Sequence, residues 1–305
     1  MMNTEIIIPS FAKINLTLRV IGKRFDGYHE IFSIFQTVSL FDELVIRESG
    51  EIEVECDNEE IPKGRENIVF SALAALSDET GVKKGASILI RKRIPSPGGL
   101  GGGSSNAAVA LMAVSKLWGI GLSLKELAVI GARVGSDVPL FFYGGTMAGT
   151  GRGTVIEPMP DVEFRHVLIA SPKTAIATSD AYRDLALGDL TKNGSKSILK
   201  HYRERAERLY TGRFEFHNDF ETVVFEQYPD IENTAAVMAS SGARNVMLSG
   251  SGPSVVGIFE KAAALKTASS RLLDRHGVRC FPVSTISRKS YFERLGLGSG
   301  QSFDV

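Results

Sequence analysis

The run Ile94-Pro-Ser-Pro-Gly-Gly-Leu-Gly-Gly-Gly-Ser-Ser-Asn-Ala-Ala108 holds five glycines in six positions: Gly98, Gly99, Gly101, Gly102 and Gly103. Glycine reaches φ > 0 and lets bare backbone approach a ligand, so the run suits N–H groups converging on an anion. A strand-like segment, Ala86–Ile94, precedes it. After it Ala107, Ala108, Ala110, Leu111, Val114, Leu117 and Trp118 recur at helical spacing, which predicts a helix over about Ser104–Trp118. The unpaired N–H groups and dipole of that helix would add to the anion site, and a polyphosphate is the natural guest. A flexible linker is also glycine-rich, but linkers sit in polar surroundings rather than between a strand and an apolar helix. A Walker-type loop is excluded because no lysine precedes Ser104. The dinucleotide fingerprint fails too. Begun at Gly99 or Gly101, it meets Ser104 or Asn106 where its third glycine belongs.

Composition sets the frame. The 305 residues suffice for two domains, and 35 basic against 35 acidic side chains leave no global charge to favour nucleic acid or an anionic membrane. No apolar run approaches the roughly 20 residues of a membrane span, and no secretory signal is visible at the N-terminus. Cys56 and Cys280 lie far apart without metal-ligand spacing, which suits free thiols in a reducing cytoplasm. Five histidines without a His-x-x-x-His pattern argue against structural zinc, so no protein-held metal is expected.

Period-two alternation from Phe11 to Ile21 predicts a half-buried strand carrying Lys13 and Asn15 on its polar face. Further strands are read at Ile31–Phe41, Leu44–Ile46 and Ile52–Cys56, with an early antiparallel character. Asn67 is a helix N-cap, and Ser123 with Glu126 forms a capping box ahead of a helix ending near Gly135. Glu157-Pro-Met-Pro160 breaks regular structure and sets a boundary near Asp161, giving an N-terminal lobe over 1–160 and a C-terminal lobe over 161–305. The second lobe reads as strands at His166–Ala170, Val246–Leu248, Val255–Phe259 and Arg279–Val283. Helical patterns fall around Ser197–Tyr210, Ile231–Ala239 and Ala262–His276, while Leu187–Lys200 is polar. The class is α+β in two lobes. From Ser287 onward the tail reads as loosely ordered.

Phosphoryl transfer also needs a cation for the moving charge and a group to take the acceptor proton. Lys13, and Asp137 in Gly135-Ser-Asp-Val-Pro139, are candidates for these roles, although spacing alone equally allows a solvated lysine and a turn aspartate. Leu248-Ser-Gly-Ser-Gly-Pro-Ser254 reads either as a hairpin turn or as backbone lying against the phosphate loop. Asp26-Gly-Tyr-His29 reads first as a turn with an aromatic anchor, and second as a Tyr28 ring for stacking with His29 at a heterocycle's edge.

Together Ala12-Lys-Ile-Asn-Leu16, Asp26-Gly-Tyr-His29, Glu66-Asn-Ile68, the glycine run, Gly135-Ser-Asp-Val-Pro139, Gly149-Thr-Gly-Arg-Gly153 and Ser249-Gly-Ser-Gly-Pro253 resemble the GHMP small-molecule kinases over most of the chain. The glycine run marks the superfamily. The first two motifs mark a branch whose members phosphorylate the 2-hydroxyl of a cytidine-diphosphate methylerythritol. The resemblance implies an N-terminal lobe like ribosomal protein S5 domain 2, a ferredoxin-like C-terminal lobe, and a site in the cleft between them. It implies ATP with Mg²⁺, Asp137 as general base and Lys13 as its charge partner. Asn15 would touch the methylerythritol, Tyr28 and His29 would hold the cytosine with Tyr182 as second ring, and Thr178 would lie nearby. Asn67 would contact adenine. The nucleotide loop would run over Pro95, Ser96, Pro97, Gly98, Gly99, Leu100, Gly101, Gly102, Gly103, Ser104 and Ser105, with Ser105 a candidate magnesium ligand beside water and phosphate. The protein would be a cytoplasmic monomer or weak homodimer acting on a small molecule. The alternatives are another GHMP kinase acting on a sugar or simple alcohol, and a non-catalytic nucleotide sensor. Pro97 stands where the family has a small residue or glycine, and the Ser287–Val305 tail has no recognised counterpart and is assigned no role.

Overall fold

The structure is a computed structural model that describes residues 5–185, 199–202, 204, 206–211, 216–276 and 278–297. Two sheets organise it. The first contains β1 (Ile6–Lys23), β2 (His29–Ser49), β3 (Ile52–Cys56), β4 (Gly85–Arg91), β5 (Thr146–Gly151), β6 (Val155–Pro158) and β8 (His217–Asn218). Its order is β3-β4-β2-β1-β8, with β5 joining β2 to β6. The second contains β7 (His166–Ser171), β9 (Ala243–Leu248), β10 (Val255–Phe259) and β11 (Arg279–Val283), in the order β11-β7-β10-β9 and antiparallel throughout. Helices α1 (Ile68–Thr80), α2 (Gly102–Trp118) and α3 (Leu124–Val134) accompany the first sheet. Then come α4 (Thr178–Asp184), α5 (Glu221–Gln227), α6 (Pro229–Ser240), α7 (Ala262–His276) and α8 (Arg288–Leu295). The mixed α and β class and the early antiparallel pairing are as expected.

Helix α2 is buried along almost its whole length, on more than one face. Ala107, Ala108, Ala110 and Ala113 make this feasible, because small side chains let the helix lie close to α1, α3 and the sheet at once. Strand β1 also differs from its reading. It is not half-buried: Ile14 and Leu16 form one apolar cluster with Val167, Ile169, Met247, Val256 and Ile258 of the second sheet, while Lys13 and Asn15 on the opposite face are 3% and 2% exposed. Apolar packing covers one face, and the glycine loop at Leu100 and Gly101 lies over Lys13 on the other. The predicted caps are present, with Val69 N–H donating to Asn67 Oδ1 and a complete capping box at Ser123 and Glu126. The described part of the tail, residues 287–297, is ordered, contrary to its reading: Ser287 caps α8, and Tyr291 and Leu295 are buried against the first lobe, while residues 298–305 lie outside the described residues. Glycine and serine at the far end outweighed the helical Arg288–Leu295 pattern in the reading. Residues 187–198 of the polar stretch lie outside the described residues.

The ends of the glycine run are held by one carboxylate. The two strands read on either side of Asp42 are a single strand, β2, with Asp42 wholly buried inside it. Asp42 accepts from the N–H groups of Arg93 and Ile94 at 2.7 and 2.8 Å, from Lys92 Nζ at 2.8 Å and from Asn106 Nδ2 at 3.1 Å. The exit of β4 is thereby tied to the first turn of α2. Asp42→Ala strands a buried ammonium and is expected to cost about 3–5 kcal/mol. Denaturant unfolding checks this, and a change below about 1 kcal/mol would count against the clamp.

Candidate active site

A cleft of about 820 Å³ is lined by Lys13, Asn15, Tyr28, His29, Gly99, Ser104, Asp137, Arg152, Thr178 and Tyr182, among others. At its centre the Lys13 ammonium lies 3.6 Å from Asp137 Oδ2. Lys13 is positioned by its own strand: its backbone N–H donates to the Leu100 carbonyl of the glycine loop at 3.0 Å, and Nζ donates to Asn15 Oδ1 at 2.8 Å. Asn15 in turn donates to Ser33 Oγ at 2.8 Å, which fixes the amide and through it the ammonium. Burial pulls the Lys13 pKa below its ordinary value, and the Asp137 charge opposes the shift. Asp137 stands at the N-cap position of the short 3₁₀ turn Val138–Phe142 without making a capping hydrogen bond, and its side chain remains 36% exposed, so a ligand can reach it.

The glycine loop owes its course to close approach. Gly101, at φ +68°, leaves no room for a Cβ between the Phe141 ring and the Lys13 stem. Gly99, also at φ +68°, packs its Cα against the Ser249 carbonyl, and Ser249 Oγ donates to the Gly99 carbonyl at 3.0 Å. The 248–254 segment is therefore both things it was read as, the β9–β10 hairpin turn and a backbone wall against the loop.

Aromatic side chains gather at the other end. His29 and Tyr182 stack with centroids 4.6 Å apart and planes 15° from parallel, and the Tyr182 edge meets Phe220. Burial, with the Lys23 charge as a lesser cause, lowers the His29 pKa and so disfavours the charged ring. Tyr28 is half exposed, with the Arg152 guanidinium 4.3 Å from its ring centre. Thr178 Oγ1 lies 3.0 Å from Ser251 Oγ.

Lys13, Asn15, Tyr28, His29, Gly99, Ser104, Asp137, Thr178 and Tyr182 thus converge from the sequence expectation. Others are engaged elsewhere. Asn67 is 4% exposed; its Oδ1 caps α1 and its Nδ2 donates to the Pro62 carbonyl. Ser105 is fully buried and accepts from Ser10 Oγ at 2.7 Å, so the hydroxyl on the cleft wall belongs to Ser104. The Leu100 side chain sits in an apolar cluster. Sequence reasoning missed Asp42, Arg152 and Phe220. Asp42 had one usable signal, a carboxylate inside an otherwise apolar strand.

The chain matches the model of the GHMP kinases N terminal domain over residues 67–145 and that of the GHMP kinases C terminal over residues 198–278. It is 39% identical over 253 residues to a 4-diphosphocytidyl-2-C-methyl-D-erythritol kinase from Thermodesulfovibrio yellowstonii, an alignment covering 82% of this chain and 88% of that protein. The chain belongs to the 4-diphosphocytidyl-2-C-methyl-D-erythritol kinases. A kinase of the same name from Caldanaerobacter subterraneus subsp. tengcongensis is 35% identical over 86% of this chain and 90% of its own length. A solved structure of 4-(cytidine 5'-diphospho)-2C-methyl-D-erythritol kinase superposes with a TM-score of 0.74 at 28% identity, covering 92% of this chain and 99% of that one. Homoserine kinase from Cytophaga hutchinsonii, at TM-score 0.68 and 17% identity, shares the fold. The two-lobed GHMP fold is present, its second sheet in ferredoxin-like order, and as a 4-diphosphocytidyl-2-C-methyl-D-erythritol kinase the chain is an ATP-dependent small-molecule kinase.

Proposed function

We propose that this chain transfers the γ-phosphate of ATP to the 2-hydroxyl of 4-diphosphocytidyl-2-C-methyl-D-erythritol, a step in isoprenoid precursor biosynthesis, with Asp137 as general base and Lys13 as its charge partner. One observation carries the reading: the Lys13–Asp137 pair stands in a single cleft between the glycine loop and the His29–Tyr182 aromatic end. The backbone of Gly98–Ser105 holds the phosphates of ATP, and the Tyr28, His29 and Tyr182 rings hold the cytosine, with Thr178 beside them. The acceptor hydroxyl, set by Asn15, gives its proton to the Asp137 carboxylate as its oxygen forms the new bond to the γ-phosphorus. The bond from that phosphorus to the bridging oxygen breaks, and ADP leaves with the electron pair. The Lys13 ammonium steadies the charge on the transferring group.

Magnesium fits as an ion brought in on the phosphates. Among the described residues no three His, Cys, Asp or Glu side chains gather as a metal site would require, while the Ser104 hydroxyl on the cleft wall would offer a hard oxygen donor beside phosphate and water. Such an ion would neutralise phosphate charge. On this reading residues 1–160 carry nucleotide and catalytic pair, and 161–305 contribute Thr178 and Tyr182. The protein would act as a monomer or weak homodimer, and the free Cys56 and Cys280 thiols support a cytoplasmic setting. Among the described residues no helix is long and apolar enough to cross a membrane.

A coupled assay of ADP release tests the assignment across the cytidine-diphosphate acceptor, mevalonate, homoserine and galactose. Turnover of the first alone is expected; preference for another alcohol would overturn the substrate, and no turnover with any would favour a nucleotide sensor. Tyr28→Ala is expected to raise KM for the cytidine substrate by about tenfold or more, the scale of one lost base-stacking contact, with KM for ATP unchanged.

A further inference from the structure

The C-terminal family match ends at residue 278, and α8 lies beyond it. We propose that α8 is a positioning strap for the catalytic turn, with Tyr291 as its working residue; this rests on the reading of Asp137 as general base. The 3₁₀ turn Val138–Phe142 begins at Asp137, and its last carbonyls need partners from outside the turn. Tyr291, fully buried, supplies one: its hydroxyl donates to the Phe141 carbonyl at 2.6 Å. Burial raises the Tyr291 pKa, which keeps the hydroxyl a donor.

The same ring reaches the elements that carry both halves of the catalytic pair. It lies against the backbone of Gly144, just past the Asp137 turn, so closely that a Cβ there would run into the ring. It also packs on Phe11, two residues before Lys13, with centroids 5.7 Å apart. The helix is fastened before it starts. Ile286 N–H donates to the Thr37 carbonyl at 3.0 Å, and Thr37 is the cross-strand partner of Lys13. The strand bearing the ammonium and the turn bearing the carboxylate are thus referred to one aromatic side chain, which holds their separation. Small displacements of a reacting group cost large factors in rate.

The test is a double-mutant cycle with Tyr291→Phe and Asp137→Asn, using the full chain, with Tyr210→Phe as a control. The Tyr210 hydroxyl likewise donates to a backbone carbonyl, that of Pro160 at 2.7 Å, but outside the cleft. Tyr291→Phe is expected to lower kcat roughly tenfold, leave both KM values unchanged and change nothing further in the Asp137→Asn background, while Tyr210→Phe matches the parent. Full kcat in Tyr291→Phe overturns the strap. So does a loss that tracks the folded fraction or multiplies with that of Asp137→Asn, since either would show a role not exerted through the carboxylate. If Asp137→Asn alone retained turnover, the general-base reading would fail instead, a result distinguishable from failure of the strap.

Discussion

Asp137→Asn is expected to lower kcat by about two to four orders of magnitude, the scale of losing a general base, with the fold unchanged. The side chain is 36% exposed and the amide has the same shape, so neither a cavity nor a buried unpaired group is created at that position. What disappears, on the proposed reading, is the carboxylate beside Lys13 that takes the acceptor proton. With the nucleotide held, as proposed, by backbone around residues 98–105, KM for ATP is expected to stay within about threefold; losing only an interaction made in the transition state lowers kcat and kcat/KM together. Steady-state kinetics with a thermal melt on the same sample measures both. Near-parental turnover would remove Asp137 from the mechanism.

Lys13→Met is expected to reduce kcat by about 10²- to 10³-fold, comparable with deleting one preorganised donor to a developing charge. Methionine keeps the length of the stem and suits a position that is 3% exposed, so stability is expected to hold. The pH profile separates the charge from the packing. Burial depresses the Lys13 pKa below the ordinary 10.5, so the ammonium is present at low pH and is lost as pH rises through that lowered value. The parent's kcat should therefore fall on an alkaline limb that begins below 10.5, and this limb should be missing from the residual rate of Lys13→Met. A limb that persists in the variant would assign it to another group.

Much of this architecture was legible because local signals agreed. The glycine run, the Ser123 capping box and the alternation through β1 each state their own structure, and the motif resemblance brought Lys13, Asp137 and the aromatic residues into one cleft before any coordinates. What stayed hidden was set by partners distant in sequence. Asp42 interrupts an apolar run and reads as a break, until Arg93, Ile94, Lys92 and Asn106 are seen to satisfy its carboxylate within a continuous strand. Lys13 alternates like a surface lysine, and it takes the glycine loop above it and the second sheet below to bury β1 on both faces. Asn67 carries a family motif, but its amide is engaged in capping a helix. Tyr291 lies in a short, charged segment whose lone aromatic pair gives no hint of a carbonyl 150 positions earlier.

The two ends of the cleft differ in how far protein engineers can redraw them. On the proposed reading the base end is written in side chains, Tyr28, His29 and Tyr182, so selecting for another acceptor means changing those side chains. The donor end is written in main chain, where Gly99 abuts the carbonyl of Ser249 and admits no substituent at all. Libraries aimed at a new alcohol should diversify the first and leave the second untouched, since that seam offers no intermediate setting between intact and broken.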